Sequence, residues 1–167
     1  MLKNQKGKAL LVVAMAVIAL LAGAILAQAR PENRAGSDAI RGAGTSLVRG
    51  GTGAPSFTPV MTKFGFSWRD GRGGFECLAL VPSANAGKPR SGNFDTNAMY
   101  VTGSITSARI DGQIAVLEGT AMVTGLGAGT DKPFTATVTR GGPGATLLLT
   151  VSGLTFDEIV LGGQITF

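Results

Sequence analysis

From residue 57 onward, apolar residues of this 167-residue chain alternate with polar ones at a period of two. The run from Met61 to Arg69 (MTKFGFSWR) places Phe64, Phe66 and Trp68 on one face. Such alternation is typical of half-buried β-strands. No apolar stripe of helical period continues for about twelve residues anywhere after residue 30. The pattern therefore predicts an all-β fold.

Turn signals separate the strands. Asp111-Gly112 lies between two β-rich runs and predicts a hairpin with a type I′ turn, and Asp70-Gly71 and Gly141–Gly144 predict further tight turns. The predicted strands are Met61–Arg69, Gly74–Val81, Phe94–Thr102, Ser104–Ile110, Gln113–Glu118, Gly119–Gly125, Pro133–Arg140, Ala145–Ser152, Leu154–Val160 and Gln164–Phe167. About eight to ten short strands of this kind predict an antiparallel sandwich or barrel.

The first 29 residues have the pattern of a secretory signal peptide. Three lysines precede an uncharged stretch from Ala9 to Ala27, and small residues at Ala27 and Ala29 predict cleavage before Arg30. An uncleaved membrane anchor helix is the alternative, because nineteen apolar residues in a helix match the thickness of a bilayer. Both interpretations export the rest of the chain to the periplasm, the cell surface or the extracellular space.

Residues 30–50 are rich in Gly, Ala, Ser and Arg and predict a flexible linker, which leaves residues 51–167 as a single all-β domain. The net charge of the whole chain is +5, but residues 50–167 carry 8 basic and 8 acidic residues. The excess positive charge belongs to the leader and the linker. A neutral domain without interleaved basic and aromatic residues gives no basis for a nucleic-acid partner.

The composition excludes several chemistries. The chain has no His and one Cys, which excludes Ser-His-Asp and Cys-His catalysis, an intramolecular disulfide and cysteine-rich zinc sites. We therefore expect a non-enzymatic protein with no cofactor and no metal. The remaining acid–base hypothesis is a hydrolase that uses Glu76 and Glu118, provided that both face the inside of a barrel within about 10 Å of each other.

Two aromatic residues are the candidate ligand contacts. Tyr100 lies on a mildly polar strand face and Trp68 is the only tryptophan, so the two could form a small carbohydrate-binding surface. Core packing beside Phe64 and Phe66 is the alternative for Trp68. Cys77 is expected to pack as a small hydrophobic residue, and an intermolecular disulfide is its alternative.

The strand and turn residues resemble a bacterial secreted β-domain of the post-COAP type. The resemblance covers roughly residues 50–167 and is carried by Phe64-Gly65-Phe66, Gly74–Leu78, Ser104–Ser107, Asp111-Gly112, Leu117–Ala121, Phe134–Thr139, Gly141–Gly144 and Gly162–Ile165. It implies an exported module without an assigned catalytic activity. The Tyr-x-Asp-His element common in that family is missing here, where the chain reads ECLALVPSANAG.

These observations lead to one expectation and two alternatives. We expect an exported, non-catalytic β-domain that acts as a structural or interaction module of the envelope or extracellular space. Its partner would be a protein or polysaccharide of that compartment, and membrane contact would be limited to the N-terminal segment if it is not cleaved. A carbohydrate-binding domain and a carboxylate-dependent hydrolase are the alternatives.

Overall fold

The computed structural model describes residues 39–55, 58–83 and 92–167, which form eight antiparallel β-strands and no helix. The strands are β1 Ile40–Gly50, β2 Val60–Arg69, β3 Arg72–Pro82, β4 Phe94–Asp111, β5 Ile114–Gly125, β6 Gly129–Thr139, β7 Thr146–Val151 and β8 Leu154–Thr166. The all-β prediction is confirmed. The predicted signal or anchor segment, including Ala27, Ala29 and Arg30, lies outside the described residues.

The eight strands close into a barrel. Each strand pairs with the next along the chain, and β1 also pairs with β8. This closure decides between the two predicted architectures, because a sandwich would leave sheet edges unpaired whereas a closed barrel leaves none.

The predicted linker over residues 30–50 is wrong for residues 40–50, which form β1. Glycine occurs in β1 because this strand approaches β8 closely, not because the segment is a flexible linker. A Cβ atom on Gly44 would lie 2.2 Å from the carbonyl oxygen of Gly162 on β8. Residues 30–38 lie outside the described part of the chain.

Three pairs of predicted strands are continuous in the structure. Breaks were predicted at Gly103, at Gly119 and at residues 161–163. In the structure β4 continues through Gly103, β5 continues through Gly119 and β8 continues through residues 161–163. Gly103 and Gly119 do not end their strands because they lie where adjacent strands approach closely. A Cβ on Gly119 would come within 2.0 Å of the Ser104 carbonyl oxygen. Glycine in a strand commonly marks such an approach.

The hairpin at Asp111-Gly112 is present with a register one residue later than predicted. Asp111 pairs with Ile114, so Gly112 and Gln113 form the two-residue loop. Gly112 has a positive φ of 59° and Gln113 is not among the residues with positive φ, which is a type II′ rather than a type I′ pattern. Asp70 and Gly71 form the predicted tight turn, and their positive φ values give it a type I′ pattern.

Alternate side chains of every strand fill the barrel. Four phenylalanines form a continuous column in which ring centroids lie 6.0 Å apart for Phe64–Phe66, 6.3 Å for Phe66–Phe75 and 5.0 Å for Phe75–Phe134. A residue outside this column, Trp68, is partly buried and packs against the same core. The predicted inward face of β2 is therefore confirmed.

Candidate functional site: a chamber at the loop end of the barrel

One end of the barrel carries the β1–β2, β3–β4, β5–β6 and β7–β8 connections, and we call it the loop end. A cavity of about 500 Å³ opens there. Its walls include Val48 at the end of β1, Val60 at the start of β2, Val81 at the end of β3 and Phe156 near the start of β8. We call this cavity the end chamber. Its volume lies within the range of pockets that hold small molecules.

The end chamber is apolar and uncharged. Among the described residues that line it, none carries a charge, and Thr52 and Thr58 are the only polar ones. Its most buried side chains are Met99 and Phe156, which are 3% and 6% exposed. Gly53 allows the β1–β2 loop to cross the Phe156 ring, since a Cβ atom there would lie 2.3 Å from that ring. A charged ligand would find no counter-charge in this lining and would lose its hydration.

A buried polar cluster lies next to the end chamber. Ser46, Thr62 and Glu158 are the buried polar or charged residues within the described part of the chain. The Ser46 hydroxyl lies 2.6 Å from Glu158 Oε2, and the Thr62 hydroxyl lies 2.5 Å from the same atom. The two hydroxyl oxygens also form a short hydrogen bond with each other. We call these three residues the Glu158 ring.

Strand register places the Glu158 ring directly beneath the chamber. Val48 and Val60 line the chamber, and Ser46 and Thr62 are the next inward positions on β1 and β2. Glu158 follows Phe156 by two residues and pairs with Val48 across the β1–β8 ladder. Because residues two apart on a strand face the same side, the ring forms the layer between the chamber and the phenylalanine column.

Burial dominates the electrostatics of Glu158. Removal from water raises the pKa of the Glu158 carboxyl, the two hydroxyl groups oppose this change in part, and the charge of Asp157 adds to it. No salt bridge reaches Glu158 from the described residues. Glu158 was not among the candidate site residues predicted from the sequence. The available signal was the position of Glu158 between Phe156 and Val160, which are both buried.

Besides the three residues of the Glu158 ring, Cys77 on β3 is an inward-facing residue with a titratable group. It is 3% exposed, is not in a disulfide and belongs to the hydrophobic core. This position agrees with the prediction that it packs as a small hydrophobic residue. Burial raises the pKa of the Cys77 thiol, and negative charge on Glu158 would raise it further, while hydrogen bonding with Thr62 opposes both.

The structure does not bring Tyr100 and Trp68 together. Trp68 pairs with Gly73 of β3, and Tyr100 pairs with Leu78 of the same strand. Those partners are five positions apart on β3, which amounts to roughly 17 Å, and an odd separation places the two aromatic side chains on opposite faces of the wall. They therefore cannot contribute to one binding surface.

Tyr100 instead lies in an outer-face groove of about 430 Å³. Its hydroxyl donates a hydrogen bond to Glu76 Oε2 at 3.2 Å, and Lys63 and Asn97 also line the groove. We call this the Tyr100 groove. It combines one aromatic ring with a carboxylate, an ammonium group and an amide.

Glu76 and Glu118 both lie on the outer face. Glu76 contacts Tyr100, while Glu118 accepts a hydrogen bond from Ser107 at 2.9 Å and pairs with Arg109. In the ladders these carboxylates lie opposite Thr102 and Ser107 of β4, which are roughly 17 Å apart along the strand. The inner-face pair that the hydrolase hypothesis requires is therefore not formed. Among the described residues, no three His, Cys, Asp or Glu lie close enough to hold a metal ion.

The site and fold together define an eight-stranded, closed, antiparallel barrel with an apolar chamber at one end. No family model matches the sequence, and comparisons with curated proteins and with solved structures gave no match. Nor does the described part of the chain contain a helix long and apolar enough to cross a membrane.

Proposed function

We propose that this protein is an exported, non-catalytic binding module of the envelope or extracellular space. Its ligand is a small, uncharged, mainly apolar molecule that enters the end chamber. The observation that carries this proposal is the chamber itself, a cavity of about 500 Å³ without a charged residue in its described lining. Export rests on the leader pattern of residues 1–29.

The energetics favour an apolar ligand. Burying apolar surface contributes roughly 25 cal/mol per Å², so 250 Å² of ligand surface would contribute about 6 kcal/mol before the cost of association. Thr58 at the chamber wall offers a hydroxyl for one polar end of the ligand. The Thr52 hydroxyl already bonds with Thr155. The position of Glu158 supports a non-catalytic role. This buried acid lies beneath the chamber rather than in its wall, and it is hydrogen-bonded with Ser46 and Thr62.

The test uses N-phenyl-1-naphthylamine, an uncharged probe that fluoresces in apolar surroundings. We expect saturable binding of one probe per chain. Ala79→Trp fills the chamber from its β3 wall and should abolish binding, whereas Ala128→Trp is a matched control. Ala128 is exposed at the same end of the barrel and does not line the chamber. Equal binding by both variants, or no binding by the native chain, would overturn the proposal.

A polysaccharide ligand is the second candidate, and the Tyr100 groove favours it. Sugars bind through stacking on an aromatic ring combined with hydrogen bonds to charged and amide groups. If this candidate is correct, Tyr100→Ala should abolish retention on envelope polysaccharide, while Trp68→Phe on the opposite face of the wall should leave it unchanged. Loss of retention in both variants, or in neither, would argue against the groove.

A further inference from the structure

The Glu158 ring contains more hydrogen-bond contacts than its hydroxyl protons can supply. Three oxygens, Ser46 Oγ, Thr62 Oγ1 and Glu158 Oε2, approach one another pairwise within hydrogen-bond distance. Each hydroxyl has one proton, so an ionised Glu158 leaves two protons for three contacts. The Ser46 and Thr62 oxygens would then face each other without a proton if both donated to the carboxylate. A proton on Glu158 completes the ring, with each oxygen donating once and accepting once.

The surroundings of the ring supply no compensating cation. Glu158 is 1% exposed, and it is the one charged residue among the buried described residues. On β3, the titratable group near the ring is the Cys77 thiol. On β1, β2 and β7, the described inward residues near Glu158 include no titratable group. Asp157 points outward and is paired with Arg49 at 3.0 Å, and Lys63 is exposed on the outer face. An isolated buried carboxylate is far more costly than a buried carboxylic acid.

We propose that Glu158 is an un-ionised carboxylic acid that closes a three-membered hydrogen-bond ring with Ser46 and Thr62, and that this ring is a proton-sensitive switch for the end chamber. Loss of the proton breaks the ring and leaves a carboxylate that must be hydrated. The nearest open space is the end chamber, whose wall residues Val48 and Phe156 adjoin Glu158. Water or the carboxylate itself then occupies the chamber and competes with an apolar ligand.

The ligand-release part of this inference rests on the proposed function, whereas the protonation of Glu158 does not. Because the folded chain holds a proton that the unfolded chain releases above pH about 4.5, stability should fall as pH rises through that value. Over the interval up to the folded-state pKa of Glu158, one retained proton raises the unfolding equilibrium constant by about tenfold per pH unit. Ligand binding should weaken at the alkaline end of this interval.

The experiment compares the native chain with Glu158→Gln, which cannot ionise and whose amide can still hydrogen-bond with both hydroxyl groups. Glu118→Gln is the control for removing an exposed carboxylate. All three proteins, including the native reference, carry Cys77→Ala so that the thiol does not titrate. Urea unfolding is measured across pH, and infrared spectroscopy follows the carbonyl band of a protonated carboxylic acid.

We expect the free energy of unfolding of the native chain and of Glu118→Gln to fall equally with rising pH. Both should fall more steeply than Glu158→Gln, by the amount that corresponds to one proton. The infrared band should persist at neutral pH in the native chain and be absent from Glu158→Gln. Equal slopes in all three proteins would overturn the proposal. If Glu158→Gln does not fold, the absence of the band from the native chain at neutral pH would overturn it instead.

Probe binding completes the test. The dissociation constant of N-phenyl-1-naphthylamine should rise as Glu158 ionises in the native chain and stay constant in Glu158→Gln. A pH-independent constant in the native chain would overturn the switch while leaving the proposed function intact. No binding at any pH would overturn the proposed function and ligand release, while the infrared and unfolding results would still decide whether Glu158 is protonated.

Discussion

Gly44→Ala tests how the barrel closes. Gly44 lies in the β1–β8 ladder opposite Gly163. An alanine Cβ at this position would lie 2.2 Å from the Gly162 carbonyl oxygen and 3.2 Å from the Gly163 Cα. The closest atom belongs to the backbone, so rotation of a side chain cannot relieve the contact. β1 and β8 would have to separate by about 1 Å to restore an ordinary contact distance.

The expected cost follows from that separation. Overpacking a tight contact costs about 1–3 kcal/mol, and each weakened ladder hydrogen bond adds about 0.5–1.5 kcal/mol. We therefore expect Gly44→Ala to lower the free energy of unfolding by about 2–4 kcal/mol, which is a Tm decrease of roughly 10 °C for a domain of this size. Urea unfolding followed by tryptophan fluorescence measures the change, because Trp68 packs against the core.

Gly162→Ala is the matched control in the same ladder. No atom lies within 4 Å of a Cβ built on Gly162, and its backbone does not have a positive φ. This variant should change the free energy of unfolding by no more than about 0.5 kcal/mol. If both variants have the same stability, the close approach of β1 and β8 is not what makes glycine necessary at residue 44.

Three further results are expected. Leu147 is 0% exposed, so Leu147→Ala should lower the unfolding free energy by about 2–5 kcal/mol in urea titration, and a loss below 1 kcal/mol would contradict its core position. The buried Cys77 thiol should react with a thiol reagent only after unfolding, and rapid labelling of the native chain would contradict its burial. Arg49→Ala removes an exposed ion pair with Asp157 and should cost less than about 1 kcal/mol, and a larger loss would show that this pair does more than a surface contact.

The strand alternation predicted most of the fold because it is a local property of the chain. On β2 the buried positions Phe64 and Phe66 alternate with exposed Lys63 and Ser67. The alternation left both a sandwich and a barrel open, because closure depends on pairing between residues far apart in sequence. β1 was missed for the same reason: its glycines resemble a linker until Gly44 is seen against Gly162.

The candidate site was harder to predict because the outer face of the barrel also carries apolar residues. Glu118 alternates with Ile114 and Val116 and thus has the sequence pattern of an inward residue, although Ile114 is 44% exposed. Glu158 has the same pattern and is buried. A period of two separates two faces without saying which one is inside. The distinction required the closed barrel, in which β8 places Glu158 beside Ser46 and Thr62.

The Glu158 ring is not required for stability on physical grounds. Replacing a fully buried polar network by apolar groups of similar size is often neutral or stabilising, whereas removing one member leaves the others unsatisfied. We therefore expect the triple variant Ser46→Ala, Thr62→Val and Glu158→Leu to unfold within about 1 kcal/mol of the native chain at about pH 4, where Glu158 is protonated in both the folded and the unfolded chain. At that pH the single variant Glu158→Leu should lose about 1–3 kcal/mol, because two buried hydroxyl groups lose their carboxyl partner. Urea titration at about pH 4 measures both effects. If the triple variant is as unstable as the single one, the ring is necessary for the stability of the fold. If the triple variant is stable and its affinity for the probe no longer depends on pH, the ring controls ligand binding instead.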